Sequence, residues 1–401
     1  MKICGIISEY NPFHKGHYLH INKTKELLGT DTCVICCMSG NYTQRGEASI
    51  IPKHLRAKAA VLNGADLVIE IPSSYSLLSA EGFAKAGIYI LNSLGIVTDL
   101  SFGAESDNIG ELYDVAKLIT EHEIVQNTLQ HLKSGISYAA AREKALYERI
   151  SDKSSIISKP NNILGIEYLK ALISFESTIE PHSISRLGAA HDEPYAFEGI
   201  MSASGIRNLI EKGCAEQAAE YMPLSSFDIL MDAVKSGLCM SDSPYFERNM
   251  FSYLLRLSPD DFSKYPDVSE GLEHRIYKAI QSSTSVAQAL EKIRSKRYPL
   301  SRIRRILLRA YLGLTSEYNI NPPEYCRVLA FNDQGKKLLA DMRKKSSIPI
   351  ITKPAHISQI SKTVDMSFSK ESFCTDIYFT SLPNAQDHLP GIDWRTKTII
   401  I

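Results

Sequence analysis

The sequence predicts an α/β fold, a doubly wound parallel sheet, followed by a mostly α-helical C-terminal domain. Three observations predict it. The first half alternates short apolar runs with helix-periodic segments. Those runs are apolar on both faces, as strands covered by helices on two sides must be. Beyond residue 222 the strand signals fade, and Pro, Ser and Asp break up a series of helical patterns.

KICGIIS (2–8) reads as the first strand, HYLHINKTKELL (17–28) as a helix, and TCVICCMS (32–39) as a strand. A helix is expected at 53–64, a strand at DLVIEIP (66–72), a helix through 76–95 and a strand at VTDLSFG (97–103). Helical patterns follow at 108–121, 138–148 and 158–173, the last led in by a Pro-Asn-Asn turn. ESTIEPHSISRLG (176–188) is β-prone, and SASGIRNLIEKG (202–213) opens with serines, a helix-start signal. Later helices are expected within 246–314, and some β character returns at SIPIITKP (347–354) and DIYFTSL (376–382). No internal repeat is visible.

A chain of 401 residues exceeds one ordinary core, and two domains are expected, 1–221 and 222–401. The formal net charge of +0 excludes a global field for polyanions, so any nucleic acid must meet a local patch. No apolar run approaches the roughly 18 residues of a membrane span, and the N-terminal residues MKICGII lack a signal-peptide pattern, so a cytoplasmic protein without a membrane partner is expected. Cys33 and Cys36 form a C-x-x-C with no second half to complete a zinc site; the eight cysteines are expected to be buried thiols, and no protein metal ligands are assigned.

Ligands of such sheets bind beyond the carboxyl ends of the strands. There the chain reads SEYNPFHKGH, with His14-Lys15-Gly16-His17 between first strand and first helix. The first turn of a helix offers unpaired amides and the positive end of the dipole, a place for an anion. Two imidazoles there would add donors that follow charge developing on a phosphate. Gly16 lets the backbone come close and Pro12 fixes the turn. Zinc would need a third ligand from elsewhere, and histidines that merely pack are a further reading; local chemistry leaves all three open and favours phosphate. Ser202, Ser204 and Arg207 of MSASGIRNLI form a second candidate phosphate feature, although serines before a helix are often simple caps.

A strand, H-x-G-H and a later serine-rich segment ending in Ile-Arg resemble the HIGH-type nucleotidyltransferase superfamily, with its Rossmann-like sheet, over the first 210 residues. EYNPFHKGH, MSGNYTQRGE, NGADLVIEIP, SFGAES, NNILGIEYL and SASGIR, in this order ahead of a helical half, are similar to the bacterial tRNA(Met) cytidine acetate ligase family along essentially the whole chain. The resemblance implies a two-step reaction: acetate attacks the α-phosphate of ATP, giving acetyl-adenylate and pyrophosphate. The wobble cytidine of elongator tRNA(Met) then takes the acetyl group as N4-acetylcytidine. It implies ATP with Mg²⁺, and catalytic roles for His14 and His17. The implied ATP site runs through Ile7, Ser8, Glu9, Tyr10, Asn11, Pro12, Phe13, His14, Lys15, Gly16, His17, Tyr18, Leu19 and His20, with Gly103, Asn162, Arg186 and Leu187. No KMSKS loop is present, which argues against an aminoacyl-tRNA synthetase.

Acetate is ionised at neutral pH, so its attack needs no general base; the protein need only position and neutralise. Arg45 is a candidate for acetate or RNA phosphate. A basic surface is sought in KIRSKRYPLSRIRRILLR, whose Lys292, Arg294, Lys296, Arg297, Arg302, Arg304, Arg305 and Arg309 have no acidic residue among them. Helical spacing places Arg302, Arg305 and Arg309 near one face. Two other readings stand beside this one. A small-molecule adenylyltransferase of the pantetheine-phosphate or nicotinate-mononucleotide type gives the C-terminal half no use. A noncatalytic RNA-binding protein leaves the phosphate motifs unexplained.

Overall fold

The computed structural model describes residues 1–106, 108–150, 156–157, 159–185, 199–240 and 244–401. Five parallel strands form the centre of the sheet: β1 (Ile3–Ser8), β2 (Cys33–Ser39), β3 (Leu67–Ile71), β4 (Asp99–Ala104) and β5 (Glu180–Ser185), in the order β5-β4-β1-β2-β3. β2 and β3 are buried at every residue, which is why they read as unbroken apolar runs. The order turns back between β1 and β4, creating a switch point at their carboxyl ends.

Helices α1 (Lys15–Leu28), α2 (Lys53–Leu62), α3 (Ser73–Ser76), α4 (Ala80–Ser93), α5 (Ile109–Leu118), α6 (His122–Leu132), α7 (Tyr138–Arg149), α8 (Pro160–Ser174) and α9 (Ala203–Glu211) accompany these strands. One core joins Ile35, Leu67 and Leu100 to Phe83, Ile88 and Leu91 of α4 and to Ile166 and Leu169 of α8. A second, on the other face, joins Ile6, Val34 and Val68 to Ile21 of α1, Ala57 of α2 and Ile206 of α9. The expected helix over 76–95 is interrupted, because Ser79 caps a fresh start by accepting from the Gly82 amide at 3.3 Å.

Beyond α9 come α10 (Leu224–Lys235), α11 (Pro244–Leu254), α12 (Pro259–Phe262), α13 (Leu272–Gln281), α14 (Val286–Ile293) and α15 (Leu300–Leu312). A third core centred on Ile276, Ile293, Ile306 and Leu307 holds the later of these together and takes in Tyr42 and Leu77 from the first half.

The expected division at 221/222 does not separate sheet from helices. β6 (Cys326–Phe331), read over in the sequence, runs antiparallel beside β3, and β7 (Ile350–Ile351) and β8 (Ile399–Ile400) pair with β6. CRVLAF is buried at all six positions and completes the sheet on that side. DIYFTSL, expected to be β, lies largely in α17 (Lys362–Phe379), where burial of Phe368, Cys374 and Tyr378 overrides β propensity. α16 (Asp333–Lys345) and α18 (Ile392–Arg395) complete the described elements. Seven of the eight cysteines are buried and all are free thiols, Cys214 being the partly exposed one. Among the described residues no helix is long and apolar enough to cross a membrane.

Buried charge ties the tail to the sheet. Lys53 of α2 lies 2.6 Å from Glu70 of β3, 2.8 Å from Asp393 of α18 and 3.7 Å from Glu371 of α17. Arg327 of β6 lies 2.7 Å from the same Asp393. Three carboxylates face two cations here, and one proton balances them. Burial beside Glu70 pushes the Glu371 carboxyl up to about 8, whereas Arg327 and Lys53 hold Asp393 below the usual carboxylate range.

Candidate active site

A cavity of about 320 Å³ opens at the switch point, at the carboxyl ends of β1 and β4. Of the residues expected to bind ATP, Ile7, Ser8, Glu9, Tyr10, Asn11, His14, Gly16, His17, Leu19, His20 and Gly103 line it; Ser202, Ser204 and Arg207 close it from α9. Pro12, Phe13, Lys15, Tyr18 and Asn162 do not reach it. Phe13 is buried beneath the turn, and Lys15 and Tyr18 face outward. Arg186 and Leu187 lie outside the described residues.

The two histidines close the first turn of α1 upon itself. His14 is the N-cap, and its Nδ1 accepts the Gly16 amide at 3.0 Å; His17 Nδ1 accepts the His14 amide at 3.2 Å. This is a capping box built from imidazoles rather than from Ser and Glu. With both Nδ1 atoms accepting, each neutral ring carries its proton on Nε2. The anion site expected from unpaired amides is thereby corrected. The amides of His17 and Tyr18 bond to the His14 carbonyl and that of Gly16 to its ring, so these amides are already engaged. Gly16 serves the cap: a Cβ there would stand 2.8 Å from His14 Cε1. Tyr10, with φ of 47°, turns the chain out of β1 and packs edge-on against His17 at 4.8 Å between centroids.

Asn11 ties three segments together. Its Oδ1 accepts the Ile50 amide at 2.7 Å, and its carbonyl accepts from Arg207 at 2.8 Å. The second motif is thus fastened to the first. Ser202 caps α9 through the Gly205 amide at 3.1 Å and lies 3.0 Å from the Ser204 hydroxyl, so the cap and the pocket wall are the same residue. His20 is turned toward β4, 3.0 Å from Ser101. Asn162 acts behind the wall: its Oδ1 accepts the amides of Glu105 and Ser106 at 2.9 and 3.1 Å, shaping the loop after Gly103.

Sequence reasoning missed several wall residues. Lys23, Thr43, Gln44, Glu47, Phe102, Asn161 and Tyr168 join the expected Arg45. It also missed Arg56, fully buried on α2, which donates to the carbonyls of Glu9, Ser39, Gly40 and Ile51 and so fixes the loops after β1 and β2. A helical Arg beside Lys53 gave no local signal for that. Glu9 accepts the Gln44 amide at 2.6 Å; burial pushes its carboxyl above the usual range against the pull of that amide and of Arg45, Arg207 and Arg56. Asp99, Glu180 and His182 bring ligand atoms within 4.8 Å of one another at the amino ends of β4 and β5, away from this cavity, and Lys2 already pairs with Asp99 at 3.0 Å.

The arginine-rich segment is not one basic surface. Arg309 is 1% exposed and donates to the Ser74 carbonyl and Asn319 Oδ1, both at 2.6 Å, and to the Thr315 carbonyl at 3.1 Å. Arg305, 7% exposed, faces Asp267 and the Gln44 carbonyl. The face expected to meet RNA is therefore largely the packed face of α15. Arg302 caps the Asp267 carbonyl over Tyr298, Arg297 pairs with Glu270, and Arg304 with Glu47. Lys292, Arg294 and Lys296 are exposed.

Strand order, a switch-point cavity and paired imidazoles on the first helix define a nucleotide-handling α/β protein of the HIGH type. A family model described as HIGH Nucleotidyl Transferase matches residues 1–389. A tRNA(Met) cytidine acetate ligase of Clostridium novyi is 41% identical over 88% of this chain and 90% of its own length. One of Clostridium botulinum is 40% identical over 100% and 99%. The crystal structure of Thermotoga maritima TmcAL superposes with a TM-score of 0.94 at 32% identity, covering all of both chains. Its form bound with alpha-thio ATP gives 0.92 at 32% identity, covering 100% of this chain and 99% of that one. The chain belongs to the tRNA(Met) cytidine acetate ligase family of HIGH nucleotidyl transferases.

Proposed function

We infer that this chain activates acetate with ATP and transfers the acetyl group to the wobble cytidine of elongator tRNA(Met), forming N4-acetylcytidine. Full-length similarity to ligases of that name supports the substrates, and the neighbour crystallised with an ATP analogue supports the nucleotide. The observation that carries the mechanism is the imidazole capping box. With both Nδ1 atoms accepting, the proton of each neutral ring sits on Nε2, so two residues of the pocket wall have N–H donors rather than lone pairs to offer an anion. An acetate oxygen attacks the α-phosphorus as the bond to the bridging oxygen breaks and pyrophosphate leaves. His14 and His17 stabilise the equatorial oxygens, while Arg207, Ser202 and Ser204 hold the departing phosphates. The positive end of α1 adds to this field.

The wall carboxylates bear on Mg²⁺. Glu9 is engaged by the Gln44 amide, and Glu47 by Arg304 and Arg207, so the wall would fit an ion held chiefly through phosphate oxygens and water. Bound there, Mg²⁺ would supply charge neutralisation to the leaving pyrophosphate. Lys292, Arg294 and Lys296 offer phosphate contacts to the RNA, and the helices around the third core present it.

Mass analysis of nucleosides from tRNA incubated with the protein, ATP and labelled acetate tests the reading. Label is expected in N4-acetylcytidine, dependent on ATP. Pyrophosphate release driven by a nucleotide monophosphate or phosphopantetheine, and not by acetate, would transfer the chain to the small-molecule adenylyltransferases.

A further inference from the structure

A carboxylate stands on the wall of a cavity that must accept a polyanion. Glu47 lines the same pocket as His14 and His17, in the loop that follows β2. Left alone, its charge would repel a triphosphate by simple Coulomb interaction. Two arginines share it. Arg304 reaches Glu47 Oε1 from α15, and Arg207 of the second motif stands 3.5 Å from Oε2. Arg207 at the same time donates to the Asn11 carbonyl at 2.8 Å.

We propose that Arg304 is a positioning residue of the nucleotide site: by neutralising Glu47 from the arginine-rich helix, it leaves Arg207 charged and aimed at the phosphates. The charge count is direct. Two cations around one carboxylate leave a net positive charge at the wall. Without Arg304, Glu47 claims Arg207 undivided, and the pair presents no net charge to the nucleotide.

The contact is built into the backbone. Gly46, with φ of +80°, presses the loop onto α15 so closely that a Cβ would lie 2.6 Å from the Arg305 nitrogen and 2.8 Å from the Arg304 carbonyl carbon. Only glycine meets both conditions. On the other side of the loop the Gln44 amide holds Glu9. The loop is thus clamped between pocket and helix, and Arg304 reaches from the helix side of that clamp to a carboxylate of the pocket wall.

The proposal rests on the nucleotide reading above, and its test is separable from the acetate chemistry. Affinity for α-thio-ATP is measured by calorimetry for wild type, Arg304→Gln, Arg304→Lys and the double variant Arg304→Gln/Glu47→Gln. Acetate-dependent pyrophosphate exchange supplies KM for ATP and kcat. Arg304→Gln is expected to weaken nucleotide binding about five- to tenfold with kcat within about twofold. Arg304→Lys should retain most of the affinity, and the added Glu47→Gln should restore it, which a mere loss of packing would not. Unchanged affinity in Arg304→Gln, or a double variant as weak as the single, overturns the proposal. So does a loss of tRNA binding with nucleotide affinity intact. A wild type that binds α-thio-ATP without acetate-dependent exchange would sink the acetate reading alone, the affinities still deciding the role of Arg304.

Discussion

The Nδ1 of His17 accepts the backbone N–H of His14 at 3.2 Å, and the two rings lie 3.8 Å apart between centroids, tilted by 33°. One bond thus does two things: it closes the helix start and, in the neutral ring, fixes which nitrogen bears the proton.

The two roles separate by substitution. Asparagine places an oxygen near the Nδ1 position and nothing at Nε2, so His17→Asn should keep the cap and lose the outer donor. Acetate-dependent pyrophosphate exchange is expected to fall about 10²- to 10³-fold. His17→Ala should show the same kinetic loss and, in addition, about 1 kcal/mol of destabilisation in a urea titration. A His17→Asn enzyme with wild-type exchange would remove the ring from the reaction.

Gly16 offers a second handle on the same cap. A Cβ at this position would stand 2.8 Å from His14 Cε1 and 3.0 Å from its Nδ1. Gly16→Ala gains helix propensity of about 1 kcal/mol yet must push the imidazole aside. Exchange activity is therefore expected to drop at least tenfold, about 1.4 kcal/mol, while thermal stability changes little. Activity at the wild-type level would mean that the ring can shift without cost.

What was legible in the sequence was what local pattern encodes. Buried strands such as CVICCMS and LVIEI announce themselves by composition, and H-x-G-H followed by S-A-S-G-I-R marks the two ends of one site by chemistry. Contacts between distant residues left no such trace. Arg56 fastens the loops after β1 and β2, and CRVLAF pairs with β3, a strand that ends far upstream. Arg309 illustrates the hazard: charge counting made it a surface cation, whereas three acceptors from Ser74, Thr315 and Asn319 allow it to be buried.

The buried cluster around Lys53 makes stability depend on pH in a way two residues can be made to reveal. Glu371 has a folded pKa of about 8 against an ordinary 4.5, so its contribution is full below 4.5 and is lost as pH rises to 8. His54, neutral through burial near Arg327 and Lys53, has a folded pKa of about 3 against 6.5. Its contribution is full above 6.5 and is lost as pH falls toward 3. Between 4.5 and 6.5 the two slopes oppose each other and cancel. Relative to wild type, Glu371→Gln should add a slope of rising stability with pH in that window, about 1.4 kcal/mol per unit, and His54→Gln a falling one of similar size. Urea titrations across the range check this. Two variants with slopes parallel to wild type would refute the assignment.

Buried and exposed cations of the arginine-rich segment should answer differently to substitution. Arg309 holds the carbonyls of Ser74 and Thr315 and the side chain of Asn319 from inside the core, so Arg309→Ala takes a donor from each; the two carbonyls keep Asn319 Nδ2 at 2.9 Å and the Tyr318 amide at 3.2 Å, while Asn319 Oδ1 loses its charged partner. A loss of about 3 kcal/mol is expected in urea, and the salt dependence of RNA binding should be that of wild type. Lys292, Arg294 and Lys296 are exposed, and the described ties of their side chains are to the Ser282 backbone and hydroxyl for Lys292 and, at 3.6 Å, to Glu291 for Arg294. Replacing all three by Gln should leave stability within about 0.5 kcal/mol. If each contacts a phosphate, the slope of log affinity against log salt should become shallower by about 3. An unchanged slope would move the RNA-binding surface away from the α14–α15 turn and toward another face of the helical core.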